Sequence, residues 1–196
     1  MTKPLASRIA LVTGASPGIV YATARALARA GAHIVAIART QGGLEELDDE
    51  IRKDGGSATL VPLNLTDFGG IARLGAALHQ RHGKLDILVG NAGIAGPSSP
   101  LGHIELKPWN DVMAVNVTAP AVLARAAGRI MVAQRSGKVI NIASTSGILG
   151  KPTLVAYSAS KGALLQFTKA LAGEWAGHGV QVNAIAPGAF ATCRRS

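Results

Sequence analysis

Short apolar runs rich in β-branched residues alternate with longer amphipathic stretches along almost the whole 196-residue chain, and this alternation restricts the possible folds severely. The runs Ile9–Thr13, His33–Ala38, Ala58–Leu63, Leu85–Gly90, Lys138–Ile142 and Val180–Ile185 read as strands. Helical periodicity covers Gly18–Ala30, Gly43–Asp54, Asp67–Arg81, Trp109–Gln134 and about Leu154–Ala176. Strands separated by helices pair in parallel, and right-handed crossovers place the helices on both faces of the sheet. The expectation is an α/β doubly wound parallel sheet of six strands in the order 3-2-1-4-5-6. Such a sheet binds ligands at the carboxyl ends of its strands, near the reversal of order. Aromatic residues are scarce, so the core must be aliphatic, and the 24 glycines cluster at candidate turns rather than in a linker. One domain spanning 1–196 is expected.

Between the first strand and the first helix stands Thr13-Gly14-Ala15-Ser16-Pro17-Gly18-Ile19-Val20. Glycines there let backbone N–H groups approach a pyrophosphate at a positive helix N-terminus, the arrangement of a Rossmann dinucleotide site. A tight strand-to-helix turn is the plainer reading. After the second strand, where an acidic residue would bind both hydroxyls of an adenosine ribose, the chain has Arg39. A carboxylate that would repel a 2′-phosphate is missing and a guanidinium that would pair with one is supplied, so NADP(H) is favoured over NAD(H). Arg39 as a solvated loop residue is the alternative.

Tyr157 and Lys161 stand at i, i+4 spacing in Ala156-Tyr157-Ser158-Ala159-Ser160-Lys161. In a helix they share one face, and a cation held beside a phenol favours the phenolate, which suits the pair to proton exchange near neutral pH. Such pairs also arise by chance, so the reading depends on its surroundings.

The formal charge is +9, but the basic residues are dispersed and no aromatic-interleaved basic stripe accompanies them. Nucleic acid is therefore not an expected partner; part of the excess suits an anionic ligand. Cys193 is the only cysteine, the N-terminus has no secretory pattern, and no apolar run has membrane length, so a cytoplasmic protein without disulfides is expected. His33, His79, His82, His103 and His178 show no ligand spacing; His79 and His82 read as an exposed helix end, and no metal is expected.

Six ordered motifs together resemble the short-chain dehydrogenase/reductase family, including its 3-oxoacyl-ACP reductase-like members. They are the Gly14…Gly18 turn, Asn91-Ala92-Gly93, Asn116 in Met113-Ala114-Val115-Asn116-Val117, Ser144 in Asn141-Ile142-Ala143-Ser144, the Tyr157/Lys161 pair, and Asn183-Ala184-Ile185-Ala186-Pro187-Gly188. The resemblance implies hydride transfer between a nicotinamide and a small carbonyl or alcohol substrate. It makes Tyr157 the acid/base and has Lys161 assist it while holding the nicotinamide ribose. Ser144 would donate to the substrate oxygen, and Asn116 would position a water linking Lys161 to solvent. Cofactor contacts would come from Gly14, Ser16, Gly18, Ile19, Arg39, Asn64, Leu65, Asn91, Ala92, Gly93, Tyr157, Lys161, Pro187, Gly188 and Thr192. Plainer roles stay open for Ser144, as a loop cap, and for Asn116, as a partner of buried backbone groups.

Three departures bear on cofactor binding. Val20 replaces the third glycine of the family's turn and is expected to crowd the cofactor, Gly90 replaces an asparagine, and Asn64 stands where an aspartate usually meets adenine. Family members continue past the Pro-Gly motif through a substrate-covering helical segment and a seventh strand, whereas this sequence stops at Ser196. The expectation is a missing lid and an exposed sixth strand, to be paired in a homo-oligomer. The alternative function is that of a degenerate relative acting as a non-catalytic binding or oligomer-interaction protein.

Overall fold

The computed structural model describes residues 3–14 and 18–188. Strands β1 (Ile9–Thr13), β2 (His33–Ala38), β3 (Ser57–Pro62), β4 (Ile87–Gly90), β5 (Gly137–Ile142) and β6 (Val180–Ile185) form one six-stranded sheet in the order β3-β2-β1-β4-β5-β6. Every pairing is parallel. The connections contain α1 (Ile19–Arg29), α2 (Gln41–Lys53), α3 (Phe68–His82), α4 (Leu106–Met113), α5 (Ala119–Ala133), the short α6 (Ser146–Leu149) and α7 (Val155–Trp175). Because β1 and β4 adjoin where the order reverses, the segments leaving their carboxyl ends diverge and open a crevice.

Period-two alternation along the strands explains how helices cover both faces. Ala10, Val12, Ile34, Ala36 and Ala38 pack with Val20, Ala24 and Ala28 of α1 and with Leu44, Leu47 and Ile51 of α2. Leu11, Val35 and Ile37 belong to the opposite layer, with Ile71 and Leu78 of α3, Leu123, Ala127 and Met131 of α5, and Leu171 and Trp175 of α7. Ile34, Ile37, Leu44 and Leu47 are completely buried, each contributing about 1.5–3 kcal/mol by leaving water. No helix among the described residues is long and apolar enough to cross a membrane.

The stretch Trp109–Gln134 departs from the expected single helix. α4 starts earlier, at Leu106, and the residues Ala114–Thr118 form a π-helical turn before α5. The Ala119 N–H reaches back five residues to the Ala114 carbonyl. Pro120 then has no N–H to offer the Asn116 carbonyl four residues back, so the sequence itself interrupts the regular pattern. β4 begins at Ile87 rather than Leu85, within the usual uncertainty of strand ends. His82 also differs from the exposed helix end expected of it. Its ring centroid lies 5.4 Å from that of His33, and its Nε2 is buried with no hydrogen-bond partner among the described residues. Burial lowers the pKa of both rings, and the charges of His82 and Arg81 lower that of His33 further.

Candidate active site

β1 ends at Thr13, whose hydroxyl accepts from the N–H groups of Asn91 at 3.1 Å and Ala92 at 3.3 Å, tying the first turn to the segment that leaves β4. Gly14 follows with φ +75°, and its N–H donates to the Ile37 carbonyl at 2.9 Å. A Cβ on Gly14 would stand 2.9 Å from Ala92 Cα, so both space and conformation demand glycine. Gly18 opens α1, which has no side-chain cap among the described residues and no acidic residue in its first turn. Orphan N–H groups of a helix N-terminus thus border a cleft of about 290 Å³ at the carboxyl ends of β1, β2 and β4.

Gly14, Gly18, Ile19, Arg39, Asn64, Leu65, Asn91, Ala92 and Gly93 line this one cleft, joined by Val20, Ile37, Ala38, Leu63, Ile94 and Val115. Ser16 and Thr192 lie outside the described residues. Val20, expected to crowd the site, borders the cleft but is 2% exposed and packs into the core with Val12 and Ala24. Glycine at position 90 is explained by packing, because a Cβ there would stand 2.9 Å from Asn141 Oδ1. Toward β2, exposed Arg39 makes no ion pair among the described residues, and α2 beyond it begins with no acidic residue and no side-chain cap. Asn64 Oδ1 accepts from the Thr66 N–H at 3.1 Å, while its amide nitrogen has no partner among the described residues.

The cleft meets the candidate acid/base residues at Gly93, where a Cβ would lie 3.2 Å from Asn116 Oδ1 and 3.4 Å from Lys161 Nζ. Lys161 is 4% exposed and donates to the Ile142 carbonyl at 2.7 Å. Burial pulls its pKa down to about 8, which leaves it largely charged at neutral pH. Its Nζ lies 5.7 Å from the Tyr157 ring centroid, as i, i+4 spacing requires. Buried Ser144 accepts from the Ser146 N–H at 3.1 Å, a loop-capping bond, but its own proton has no acceptor among the described residues. Pro187 accepts from the Thr145 N–H at 3.0 Å, which brings Pro187 and the adjoining Gly188 to the Ser144 end of β5. Asn116 is wholly buried: Oδ1 accepts from the Ile94 N–H, while Nδ2 donates to the Ile94 carbonyl and to Ser160 Oγ, each at 2.9 Å. The plainer role, partner to buried backbone, is therefore one that its side chain fills.

Several supporting residues escaped sequence reasoning. Gly147 is one: a Cβ there would stand 2.6 Å from the Lys161 carbonyl carbon and 2.7 Å from Gly162 N, so α6, just after Ser144, rests directly on the backbone of α7. Ser160 and the Ile142 carbonyl are others, and no local pattern marks either. Pro120 did carry a signal, as a proline inside a helical pattern. Among the described residues no cluster of three His, Cys, Asp or Glu side chains could hold a metal ion.

Residues 8–196 match the model of the short chain dehydrogenase family. The chain is 38% identical over 183 residues to gluconate 5-dehydrogenase of Gluconobacter oxydans, a match covering 93% of this chain and 71% of that protein. It is likewise 38% identical over 189 residues to a 3-oxoacyl-[acyl-carrier-protein] reductase of Synechocystis, covering 96% and 76%. The crystal structure of a metagenomic short-chain oxidoreductase in complex with NADP superimposes with a TM-score of 0.91 at 36% identity, covering 95% of this chain and 84% of that one. With the family match running through nearly all of the sequence and the fold shared with solved members, the chain belongs to the short-chain dehydrogenase/reductase family, whose members are oxidoreductases acting on CH–OH and carbonyl groups.

Proposed function

We propose that this protein is an NADP(H)-preferring oxidoreductase that interconverts a carbonyl and an alcohol, with Tyr157 as its acid/base. The observation that carries the reading is the junction at Gly93, where a glycine-walled cleft ends beside the buried ammonium of Lys161, itself adjacent to Tyr157. The residues present fit a dinucleotide. Gly14 lets the end of β1 pack against Ala92 at the cleft wall, and the start of α1, without a side-chain cap among the described residues, offers N–H groups to a pyrophosphate. Arg39 and the carboxylate-free start of α2 favour a 2′-phosphate at the β2 end. Asn64 and Leu65 suit the adenine, with the Asn64 amide nitrogen, unpartnered among the described residues, available to a base edge.

Bound at this cleft, the coenzyme supplies the hydride. Tyr157 Oη gives its proton to the carbonyl oxygen during reduction and takes it back in the reverse direction. Ser144, whose hydroxyl proton has no acceptor among the described residues, donates a hydrogen bond to the same oxygen as negative charge grows there. Lys161, whose Nζ lies beside the Tyr157 ring, can also hold the nicotinamide ribose. The Asn116 carbonyl, which has no i+4 N–H donor at Pro120, offers an acceptor to a water that relays protons toward Lys161. The names of the relatives point to sugar acids and 3-oxoacyl thioesters as the first carbonyl compounds to try. A redox role of this kind and the single Cys193 suit a reducing cytoplasm.

The test is Tyr157→Phe, assayed as NADPH oxidation with 5-ketogluconate and with a 3-oxoacyl thioester. Loss of the acid should lower turnover by about a hundredfold or more, with melting temperature and NADPH binding unchanged. Turnover retained in that variant would refute Tyr157 as the acid.

A further inference from the structure

Ser160 lies in α7 between Tyr157 and Lys161 and is completely buried. Its hydroxyl donates to the Tyr157 carbonyl at 2.7 Å. With its proton committed there, the oxygen faces Asn116 as an acceptor and receives Nδ2–H at 2.9 Å. The second Nδ2 hydrogen goes to the Ile94 carbonyl, and Oδ1 accepts from the Ile94 N–H. Each bond fixes the next: a flipped Asn116 amide would set N–H against N–H at Ile94 and carbonyl oxygen against carbonyl oxygen. Ile94 follows Gly93 and lines the inner end of the cleft, so this chain of bonds joins the cofactor side of the site to the helix bearing the acid/base pair.

We propose that Ser160 is a positioning residue for the reaction: through Asn116 it holds the loop at Ile94 in register with Tyr157 and Lys161. The inference rests on the assignment of Tyr157 as the acid/base. Removing the hydroxyl leaves a buried Asn116 N–H unpaired and cuts the link between Asn116, still oriented by Ile94, and α7. Alanine is a better helix former than serine, so Ser160→Ala does not weaken α7 through propensity.

The experiment compares Ser160→Ala and Ser160→Cys with the parent protein, in otherwise unaltered and in Asn116→Ala backgrounds. It reads kcat, the KM for whichever of 5-ketogluconate or the 3-oxoacyl thioester is turned over, NADPH affinity and melting temperature. Ser160→Ala should lower kcat about tenfold while substrate KM stays within about twofold, because alignment rather than substrate binding is lost. Ser160→Cys, which keeps the volume but bonds weakly, should give an intermediate kcat. In the Asn116→Ala background Ser160→Ala should cost less than about a further twofold, because its effect passes through Asn116. An unchanged kcat in Ser160→Ala overturns the proposal, as does a full tenfold loss that persists without Asn116. If the alanine variant does not fold, a folded Ser160→Cys with parental kcat overturns it, and an intermediate kcat supports it. Failure of the Tyr157 assignment shows separately, as turnover retained in Tyr157→Phe.

Discussion

Lys161 places an ammonium where packing alone would select an apolar side chain, and Lys161→Met measures what that placement costs. The group is 4% exposed, and burial moves its pKa from 10.5 to about 8. At about 1.4 kcal/mol per unit, holding the proton in the folded state costs roughly 3 kcal/mol at pH 7. The sign follows from proton counts. Between the folded value near 8 and the unfolded value of 10.5 the unfolded chain binds more protons, so stability rises with pH across that window. It is fully present above 10.5 and lost as pH falls through about 8. Methionine carries no charge but forfeits the bond to the Ile142 carbonyl, an offset of about 1 kcal/mol. Urea unfolding should therefore find Lys161→Met more stable than the parent by about 2 kcal/mol at pH 7 and by nearly nothing at pH 10, while carbonyl reduction is lost. A stability difference that is the same at both pH values refutes the reasoning, because no proton would then distinguish the two proteins.

Arg39→Asp removes a candidate partner of a 2′-phosphate and sets a carboxylate in its place. NADPH should bind roughly 10- to 100-fold more weakly and NADH within about threefold of the parent, measured by calorimetry, and an unchanged NADPH/NADH ratio removes Arg39 from the phosphate site. Gly147→Ala forces a methyl group to within 2.6 Å of the Lys161 backbone. Separating α6 from α7 should cost about 1–3 kcal/mol, seen as a melting temperature lower by roughly 5 °C, and should reduce turnover more than NADPH affinity. Parental stability and turnover in this variant would show that the contact between α6 and α7 does not set the geometry around Ser144.

The sheet was legible because each strand is a short apolar run bounded by turns and each crossover has helical period, so pairing direction and order follow from connectivity. The cleft was legible for a related reason: Gly14 and Gly18 matter through backbone geometry, which a sequence displays directly. What stayed hidden depends on contacts between distant segments. Ser160 looks like any small helix residue until Asn116 is seen across from it, and Gly147 has meaning only because the backbone of Lys161 lies against it. Val20 shows the converse, since a local pattern predicted crowding while tertiary packing draws the side chain into the core. The π turn at Ala114–Thr118 lies between the two cases, because Pro120 announces an interrupted helix but not the shape of the interruption.

Parallel calorimetric titration of the purified protein with NADPH and NADH in one buffer tests most directly whether the cleft is a nicotinamide dinucleotide site. One-site binding of NADPH, tighter than NADH by about tenfold or more, is the predicted result. Absence of binding by either coenzyme would contradict it.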